Sequence, residues 1–282
     1  AIMSHELRTP MNAILGFSKI LQRGDLNHAQ LEVLKRIIDA SNHLLGIIND
    51  ILDMSKIESG GLALEPRPVE FIEEMKHIVQ SLGDVKKKAN LRFFAHIDPR
   101  LPEKVVIDTT RLRQIITNLL GNAFQFTDEG SICLKVFPIE TQPHESVLHN
   151  PDDHIQLIRF EVQDTGIGMT PAQIEKVFEP FTQADNSITR KYGGTGLGLT
   201  ITRQLIQSFG GQVELESVLG EGSTFGFTVP IELDGNTIYA KQDVNRPIAI
   251  VANDYRFLEW VEYCLQQVNA QYEVFESVSE PF

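Results

Sequence analysis

The first sixty residues carry apolar side chains at helical spacing. Residues 1–22 form an amphipathic pattern through Ile14, Leu15 and Leu21, and the polar stretch 23–26 ends it. Asn27, followed three residues later by Gln30, predicts a capping box that opens a second helix. That helix carries apolar or small residues in alternating steps of three and four, which is typical of a coiled-coil seam; they are Leu31, Leu34, Ile38, Ser41, Leu45, Ile48 and Leu52.

A second apolar stripe widens the face of this helix beyond what one partner helix can cover. It consists of Ile37, Leu44, Ile47 and Ile51. Two helices joined by a short turn form an antiparallel hairpin, and two hairpins form a four-helix bundle. We therefore expect a homodimer through residues 1–60. The alternative is that a single hairpin packs on its own C-terminal domain.

The pattern changes to mixed helices and strands after a linker marked by Gly60, Gly61, Pro66 and Pro68. Helices are predicted near 72–89 and from Asp108 to about 126, and strands at 91–97, 131–137, 156–163, 212–217 and 224–231. The stretch 138–154 reads as a hairpin loop, and the spacing of its three histidines matches no metal motif. Strands on one side and helices on the other predict an α/β two-layer sandwich over 66–232. A linker at 233–245 follows.

Composition narrows the classes of partner. The 282 residues carry a formal net charge of −13, which argues against nucleic acid as the main partner. No apolar run reaches the roughly 20 residues that cross a bilayer, and two cysteines fit a reducing compartment. The sequence opens inside a helix without a start signal. We expect a fragment, the cytoplasmic portion of a membrane-anchored protein whose sensory segment lies upstream.

Candidate chemistry begins in the first helix, with the run Ser-His-Glu-Leu-Arg-Thr-Pro at 4–10. His5 and Thr9 are four residues apart and share one helix face, and Glu6 places a carboxylate beside the histidine. Pro10 has no N–H and leaves the carbonyl of Glu6 without its helical partner, so the helix is expected to bend there. Taken alone, this histidine is better explained as an ordinary surface residue on an amphipathic helix.

Further downstream, four short clusters suit a nucleotide. Asn118 and Asn122 place two amides on one helix face, where they can meet water, a metal or phosphate. Asp164 follows a strand and leads into Gly166 and Gly168, which permit a tight turn, and a buried acid there can accept a hydrogen bond from an exocyclic amine.

The other two clusters are an aromatic pair, Phe178 and Phe181, and a glycine-rich turn that opens a helix. Such a turn is an anion site because its N–H groups and the positive end of the helix dipole converge; it comprises Gly194, Thr195, Gly196, Leu197 and Gly198. The polar stretch before it contains Arg190 and Lys191 and reads as a lid over the phosphates.

Taken in this order, the clusters resemble the motifs of the histidine protein kinase family over nearly all of residues 1–232. The run 4–10 resembles the H box, 118–123 the N box, 164–168 the first glycine box, 178–181 the F box, 194–198 the second glycine box and 220–225, with Thr224, the third. The resemblance implies a hybrid sensor kinase with a dimerisation and phosphotransfer hairpin, an ATP-binding domain of the kind shared with gyrase, Hsp90 and MutL, and ATP and Mg²⁺ as substrate and metal.

The resemblance also implies roles for individual residues. Asp164 holds the adenine amine, Asn118 holds Mg²⁺, and Asn122 with the second glycine box faces the phosphates. His5 is the phosphoacceptor, Glu6 its general base, and Thr9 the residue that orients water for dephosphorylation of a receiver domain. The phosphoryl group is expected to pass from His5 to an aspartate on such a receiver.

One position departs from the family pattern. Many members carry a lysine three residues after the second asparagine, whereas this chain has Gln125. The departure weakens the electrostatic stabilisation of the triphosphate unless Arg190 or Lys191 supplies the charge. Two alternatives remain open: a weak or inactive kinase acting as a nucleotide-sensitive scaffold, and a gyrase- or Hsp90-like ATPase, which gives no reason for the run at 4–10.

Residues 246–282 resemble the start of a receiver domain, with a strand from about 247, a helix through Leu258 and Leu265, and a second strand at 272–275. A working receiver carries an acidic pair after its first strand, where this chain has Ala252 and Asn253. We therefore expect a degenerate receiver of flavodoxin-like fold that docks on the kinase core and modulates it.

Overall fold

The computed structural model describes residues 2–58, 63–83, 90–139, 154–182, 196–234, 248–251, 255–267 and 272–275. Its first two helices are α1 (Ile2–Leu21) and α2 (His28–Glu58). The predicted capping box is confirmed: the N–H of Asn27 donates to Gln30 Oε1 and the N–H of Gln30 donates to Asn27 Oδ1, both at 2.9 Å. α1 continues through Pro10 as one helix. The bend expected there stays a prediction.

The predicted seam lies on the face of α2 that packs against α1. Leu34, Ser41 and Ile48 are buried, whereas Leu31 at the start of the seam is exposed. The second stripe is different: Ile37, Leu44 and Ile51 are 43%, 44% and 52% exposed, whereas Ile47 is half-buried. One hairpin therefore covers most of its seam after Leu31 and leaves a row of large apolar side chains in solvent.

Within its described residues, the mixed α/β region shows one seven-stranded sheet and four helices. The strands are β1 (Arg67–Glu70), β2 (Leu91–Ile97), β3 (Lys104–Ile107), β4 (Gly130–Pro138), β5 (Ile155–Asp164), β6 (Gln212–Val218) and β7 (Gly222–Leu233). The helices are α3 (Phe71–Gly83), α4 (Thr109–Phe126), α5 (Pro171–Lys176) and α6 (Gly198–Ser208). The order β1-β3-β7-β5-β4-β2, with β6 on β7, leaves β2 at one edge. The predicted two-layer arrangement of helices and strands is confirmed.

The linker predicted across Pro66 and Pro68 was partly wrong. Pro68 lies in β1, which among the described strands pairs with β3 alone. An edge strand tolerates proline because its outward side needs no ladder hydrogen bond. Proline is also a strong turn signal, so composition alone favoured a linker.

The core of this region lies between the sheet and helices α3 and α4. Phe71 of α3 meets Phe160 edge to face at 6.4 Å, and Phe160 stacks on Phe227 at 4.6 Å. All three side chains are fully buried. Asp108 caps α4 by accepting the N–H of Arg111 at 3.1 Å. Buried residues of α4 also join this core, and α4 contacts β5, the strand that ends at Asp164.

The C-terminal elements are β8 (Ile248–Val251), α7 (Tyr255–Gln267) and β9 (Tyr272–Phe275). β8 and β9 pair in parallel, so the predicted strand-helix-strand order is confirmed. Ala252 and Asn253, the basis for expecting a degenerate receiver, lie outside the described residues.

The chain separates into two compact units, one comprising residues 1–63 and 177–204 and the other residues 64–176 and 205–282. The predicted domain limits, 1–60, 66–232, 233–245 and 246–282, stay a prediction. Among the described residues, no helix is both long and apolar enough to cross a membrane.

Candidate functional site

Asp164 ends β5 and is the buried acid that the sequence singled out, with 8% of its surface exposed. Its Oδ1 accepts the N–H of Gly166 at 2.8 Å. Burial raises the pKa of this carboxyl, and backbone N–H groups of Gly166 and Ser223 that donate to it oppose the rise. A carboxylate offers about four lone-pair positions, so two backbone donors leave room for an amine of a ligand.

The glycines around Asp164 allow three backbone segments to approach closely. A Cβ at Gly168, where φ is +61°, would lie 1.9 Å from the carbonyl oxygen of Val218. A Cβ at Gly166 would lie 2.4 Å from the carbonyl oxygen of Phe126, at the end of α4. The contacts that require these two glycines are therefore made with the protein's own backbone. The first glycine box is wedged between the end of α4 and the β6–β7 hairpin.

Helix α4 carries the two predicted amides one turn apart. Asn118 and Asn122 are half-buried, while the neighbouring Leu119 and Ala123 are buried in the core. Gln125 is half-buried in the last turn of the same helix. Thr224 is half-buried on β7, where it pairs with Gln163 next to Asp164.

The F box and the first seven residues of helix α6, 198–204, belong to the unit that comprises residues 1–63 and 177–204. The carbonyl oxygen of Phe178 accepts the hydroxyl of Thr200 at 3.0 Å, and the guanidinium of Arg203 lies 5.8 Å from its ring centre. Phe181 is 73% exposed and has a φ of 60°, and its N–H donates to the carbonyl oxygen of Gly196 at 3.0 Å. These bonds join the two ends of the segment that the sequence reads as a lid.

Gly196 itself has a φ of +68°, and a Cβ there would lie 2.9 Å from the carbonyl carbon of Phe181. Leu197 is buried and accepts the N–H of Ile201 in the first turn of α6, which begins at Gly198. The remaining predicted residues of this region, Arg190, Lys191, Gly194 and Thr195, lie outside the described residues.

His5 and Glu6 lie in the N-terminal half of α1, and the structure describes their backbone only. Thr9 is exposed one turn after His5. The helix therefore places His5 and Thr9 on one face, as the sequence predicts.

Comparisons with known proteins identify both parts of the chain. Residues 1–60 match the His Kinase A (phospho-acceptor) domain, and residues 107–233 match the histidine kinase-, DNA gyrase B- and HSP90-like ATPase family. The chain belongs to the sensor histidine kinase family. The range of the ATPase match includes all three glycine boxes.

Several sensor kinases are similar over most of the chain. The sensor histidine kinase GacS of Pseudomonas protegens is 39% identical over 256 residues, which are 90% of this chain and 27% of that protein. The circadian input-output histidine kinase CikA of Synechococcus elongatus is 41% identical over 82% of this chain and 29% of that protein. The chain thus spans about a quarter of the length of these curated relatives.

Among solved structures, full-length ShkA in complex with AMPPNP matches with a TM-score of 0.73 and 26% identity. The match covers 99% of this chain and 55% of that chain. The histidine kinase AdeS of Acinetobacter baumannii matches with a TM-score of 0.50 at 20% identity, which shows the fold alone.

Sequence reasoning about this histidine kinase missed two residues that shape the Asp164 loop. Ser223 donates its backbone N–H to Asp164, and the N–H of Ser131 donates to Thr165 Oγ1 at 2.9 Å while its carbonyl oxygen accepts the N–H of Thr165 at 3.1 Å. Nearly every residue type has a backbone N–H and carbonyl, so residue type does not reveal these contacts, and both depend on strand register. The glycine box at 220–225 was the available signal, because it lies between two predicted strands, at 212–217 and 224–231.

Proposed function

We propose that this chain is the catalytic core of a hybrid sensor histidine kinase that binds ATP, phosphorylates His5 and passes the phosphoryl group to an aspartate of a receiver domain. The observation that carries the proposal is Asp164, a buried carboxylate fixed by two backbone donors at the end of a strand. A carboxylate held in this way is a specific acceptor for an exocyclic amine. It lies in a chain whose first helix carries the His-Glu run of a phosphoacceptor.

The ATP-binding roles follow from the chemistry of the residues. Asp164 accepts a hydrogen bond from the adenine amine. The Asn118 side chain supplies an amide oxygen, and Mg²⁺ prefers oxygen ligands that include substrate phosphates. Asn122 and the second glycine box contribute neutral N–H donors to the phosphates. Bound Mg²⁺ would neutralise charge that develops on the transferred group.

The transfer step requires positioning more than covalent help from the protein. A ring nitrogen of neutral His5 forms a bond to the γ-phosphorus as the bond from that phosphorus to the bridging oxygen breaks, which releases ADP. The proton on the other ring nitrogen passes to Glu6. Thr9, exposed one turn away, is placed to orient water in the reverse, phosphatase direction.

The exposed stripe of α2 supports a homodimer through residues 1–60. Ile37, Leu44 and Ile51 are spaced by seven residues and stand in solvent in one copy of the chain. A second hairpin that lays the same stripe against this one completes a four-helix bundle. The partner for phosphotransfer is a receiver domain, either on a response regulator or in the same hybrid chain. We further infer that the chain is the cytoplasmic part of a membrane-anchored sensor.

Incubation with labelled ATP and Mg²⁺ tests the central proposal. The expected product carries acid-labile, base-stable label, and His5→Gln abolishes the label. His28→Gln, an exposed histidine at the start of α2, is the matched control and should label like the wild type. A protein that binds ATP but is not labelled would instead be a nucleotide-sensitive scaffold. Label that persists in His5→Gln would show that the phosphoacceptor is another residue.

A further inference from the structure

One end of strand β2 meets helix α7 through paired aromatic and charged side chains. The imidazole of His96 stacks on the indole of Trp260 with ring centres 4.6 Å apart and an angle of 6° between the planes. Trp260 in turn stacks on Tyr263 at 5.2 Å. Both partners of the first stack lie within the same compact unit.

The second part of this contact is polar. The hydroxyl of Tyr263 donates to Asp98 Oδ2 at 2.9 Å, and Arg100 Nη2 donates to the Tyr263 oxygen at 2.6 Å. Arg100 also donates from Nη2 to Asp98 Oδ2 at 2.9 Å, so the three groups form a closed triangle. Burial and the neighbouring Asp98 raise the pKa of Tyr263 to about 12, which keeps the phenol protonated as a donor.

The Asp98 side of the triangle is formed by β2 and the turn that follows it. The Asp98 carboxylate is fully buried and also accepts the backbone N–H of Arg100 at 2.8 Å. The N–H of Asp98 donates to the carbonyl oxygen of Val136, which extends the pairing of β2 with β4. His96 near the end of β2, together with Asp98 and Arg100 of the turn that follows, thus forms one surface, which we call the β2 receptor.

We propose that the β2 receptor is the docking site of the C-terminal segment, which it holds in cis and reversibly through Trp260 and Tyr263 of α7. The half-buried character of the contact supports reversibility. From Trp260 to Leu265 every residue of α7 is only partly buried, and the Arg100 side chain keeps 33% of its surface exposed. Interfaces of this kind between parts of one chain resemble transient protein–protein interfaces.

The register of the sheet places the docking site away from the adenine-binding acid. Ile97, next to the β2 receptor, pairs with Val136, whereas Asp164 pairs with Ile132. These two positions are about 13 Å apart along β4. The docking contact and Asp164 are thus four residues apart in register, and we expect the segment to modulate the kinase without competing with the nucleotide for Asp164.

Tryptophan fluorescence gives a direct test, because Trp260 is the single tryptophan of the chain. Tyr263→Phe removes the hydroxyl from the triangle, and loss of hydrogen bonds to charged groups should lower the docking equilibrium constant roughly tenfold. We expect stronger acrylamide quenching of Trp260 and a red-shifted emission. Glu259→Gln, which changes an exposed residue next to Trp260 on the same helix, should quench like the wild type.

A variant on the sheet side and two further readouts complete the test. His96→Asn should increase quenching in the same direction, with circular dichroism showing a retained fold. The affinity for a fluorescent ATP analogue should stay within about twofold of the wild type, which is less than 0.5 kcal/mol. Quenching unchanged in both variants would overturn the docking proposal, and quenching that depends on protein concentration would overturn docking in cis. A larger change in nucleotide affinity would overturn the inference that docking of α7 does not affect binding at Asp164. None of these outcomes depends on His5 phosphorylation.

Discussion

Gly222 lies so close to Asp164 that a Cβ at residue 222 would sit 2.0 Å from the carbonyl oxygen of Asp164. The φ of Gly222 is +118°, a region that side chains with a Cβ rarely adopt. β5 and β7 pair at this point, with Asp164 opposite Ser223. The third glycine box therefore shapes the Asp164 loop through backbone contact.

Gly222→Ala is expected to destabilise the fold and displace Asp164, because both the steric contact and the backbone conformation become unfavourable. Overpacking of this kind costs about 1–3 kcal/mol. Gly220→Ala is the matched control: its φ is +86°, but nothing lies within 4 Å of its Cβ. Urea unfolding and binding of a fluorescent ATP analogue should separate the two variants. Equal loss of ATP binding in both would mean that backbone strain alone matters.

Gln125→Lys is expected to strengthen ATP binding, because it returns a cation to the position at which many family members carry lysine. One added charge-assisted contact to phosphate should raise affinity by roughly tenfold. Isothermal titration with ATP and Mg²⁺ measures the change, and Gln125→Met serves as the uncharged control. An affinity unchanged by the lysine would indicate that Gln125 does not face the phosphates.

Replacing Arg190 and Lys191 together by alanine should reduce autophosphorylation if the lid supplies the missing charge. Loss of electrostatic stabilisation at a phosphoryl group lowers the rate by about tenfold or more. The rate of His5 labelling at saturating ATP is the measurement. Full activity in the double variant would exclude these residues as the substitute for the family lysine.

Serine at Ile37, Leu44 and Ile51 is expected to shift the chain from dimer to monomer, since the three exposed side chains lose their apolar surface. Each buried side chain of this size contributes about 1.5–3 kcal/mol. Sedimentation equilibrium measures the change. Asp39→Ser, about 200° around the helix from Ile37, should leave the dimer intact. A triple variant that remains dimeric would place the dimer interface on another face.

Acidification between pH 6.5 and 4 should lower the free energy of unfolding of the unit that comprises residues 64–176 and 205–282, because His96 is more easily protonated in the unfolded chain. Burial, with a smaller contribution from the Lys135 ammonium, lowers the pKa of His96 to about 4 from 6.5. The unfolded chain then binds a proton that the folded chain does not, so stability is complete above pH 6.5 and falls as the pH falls towards 4, by up to about 3 kcal/mol.

The ring of His96 contacts two neighbouring side chains, and a variant that lacks this ring is the control for the titration. Cys133 Sγ lies 3.5 Å from Nδ1, and Trp260 covers the ring. Urea unfolding of the wild type and of His96→Asn at pH 7 and pH 4.5 should show a smaller loss in the variant, because asparagine does not titrate. Identical losses would assign the acid sensitivity to other groups.

Local signals in the sequence determined much of this fold. The capping box at Asn27 and Gln30 depends on residues three apart, and β2 was predicted at its observed bounds, Leu91–Ile97. The order of six motifs was sufficient to indicate a histidine kinase before any geometry was known. Strand β1 was missed because its proline resembles a linker and its partner, β3, lies far along the chain.

Tertiary structure alone decided what surrounds Asp164 and what covers β2. The donors to Asp164 come partly from Ser223, and Trp260 reaches His96 from the other end of the sequence. Composition and periodicity report on neighbours within a few residues, whereas strand register and helix docking set contacts between distant ones. The sequence by itself therefore determined the residue types and their order, and the register of β5 with β7 and the placement of α7 on β2 determined which of them meet.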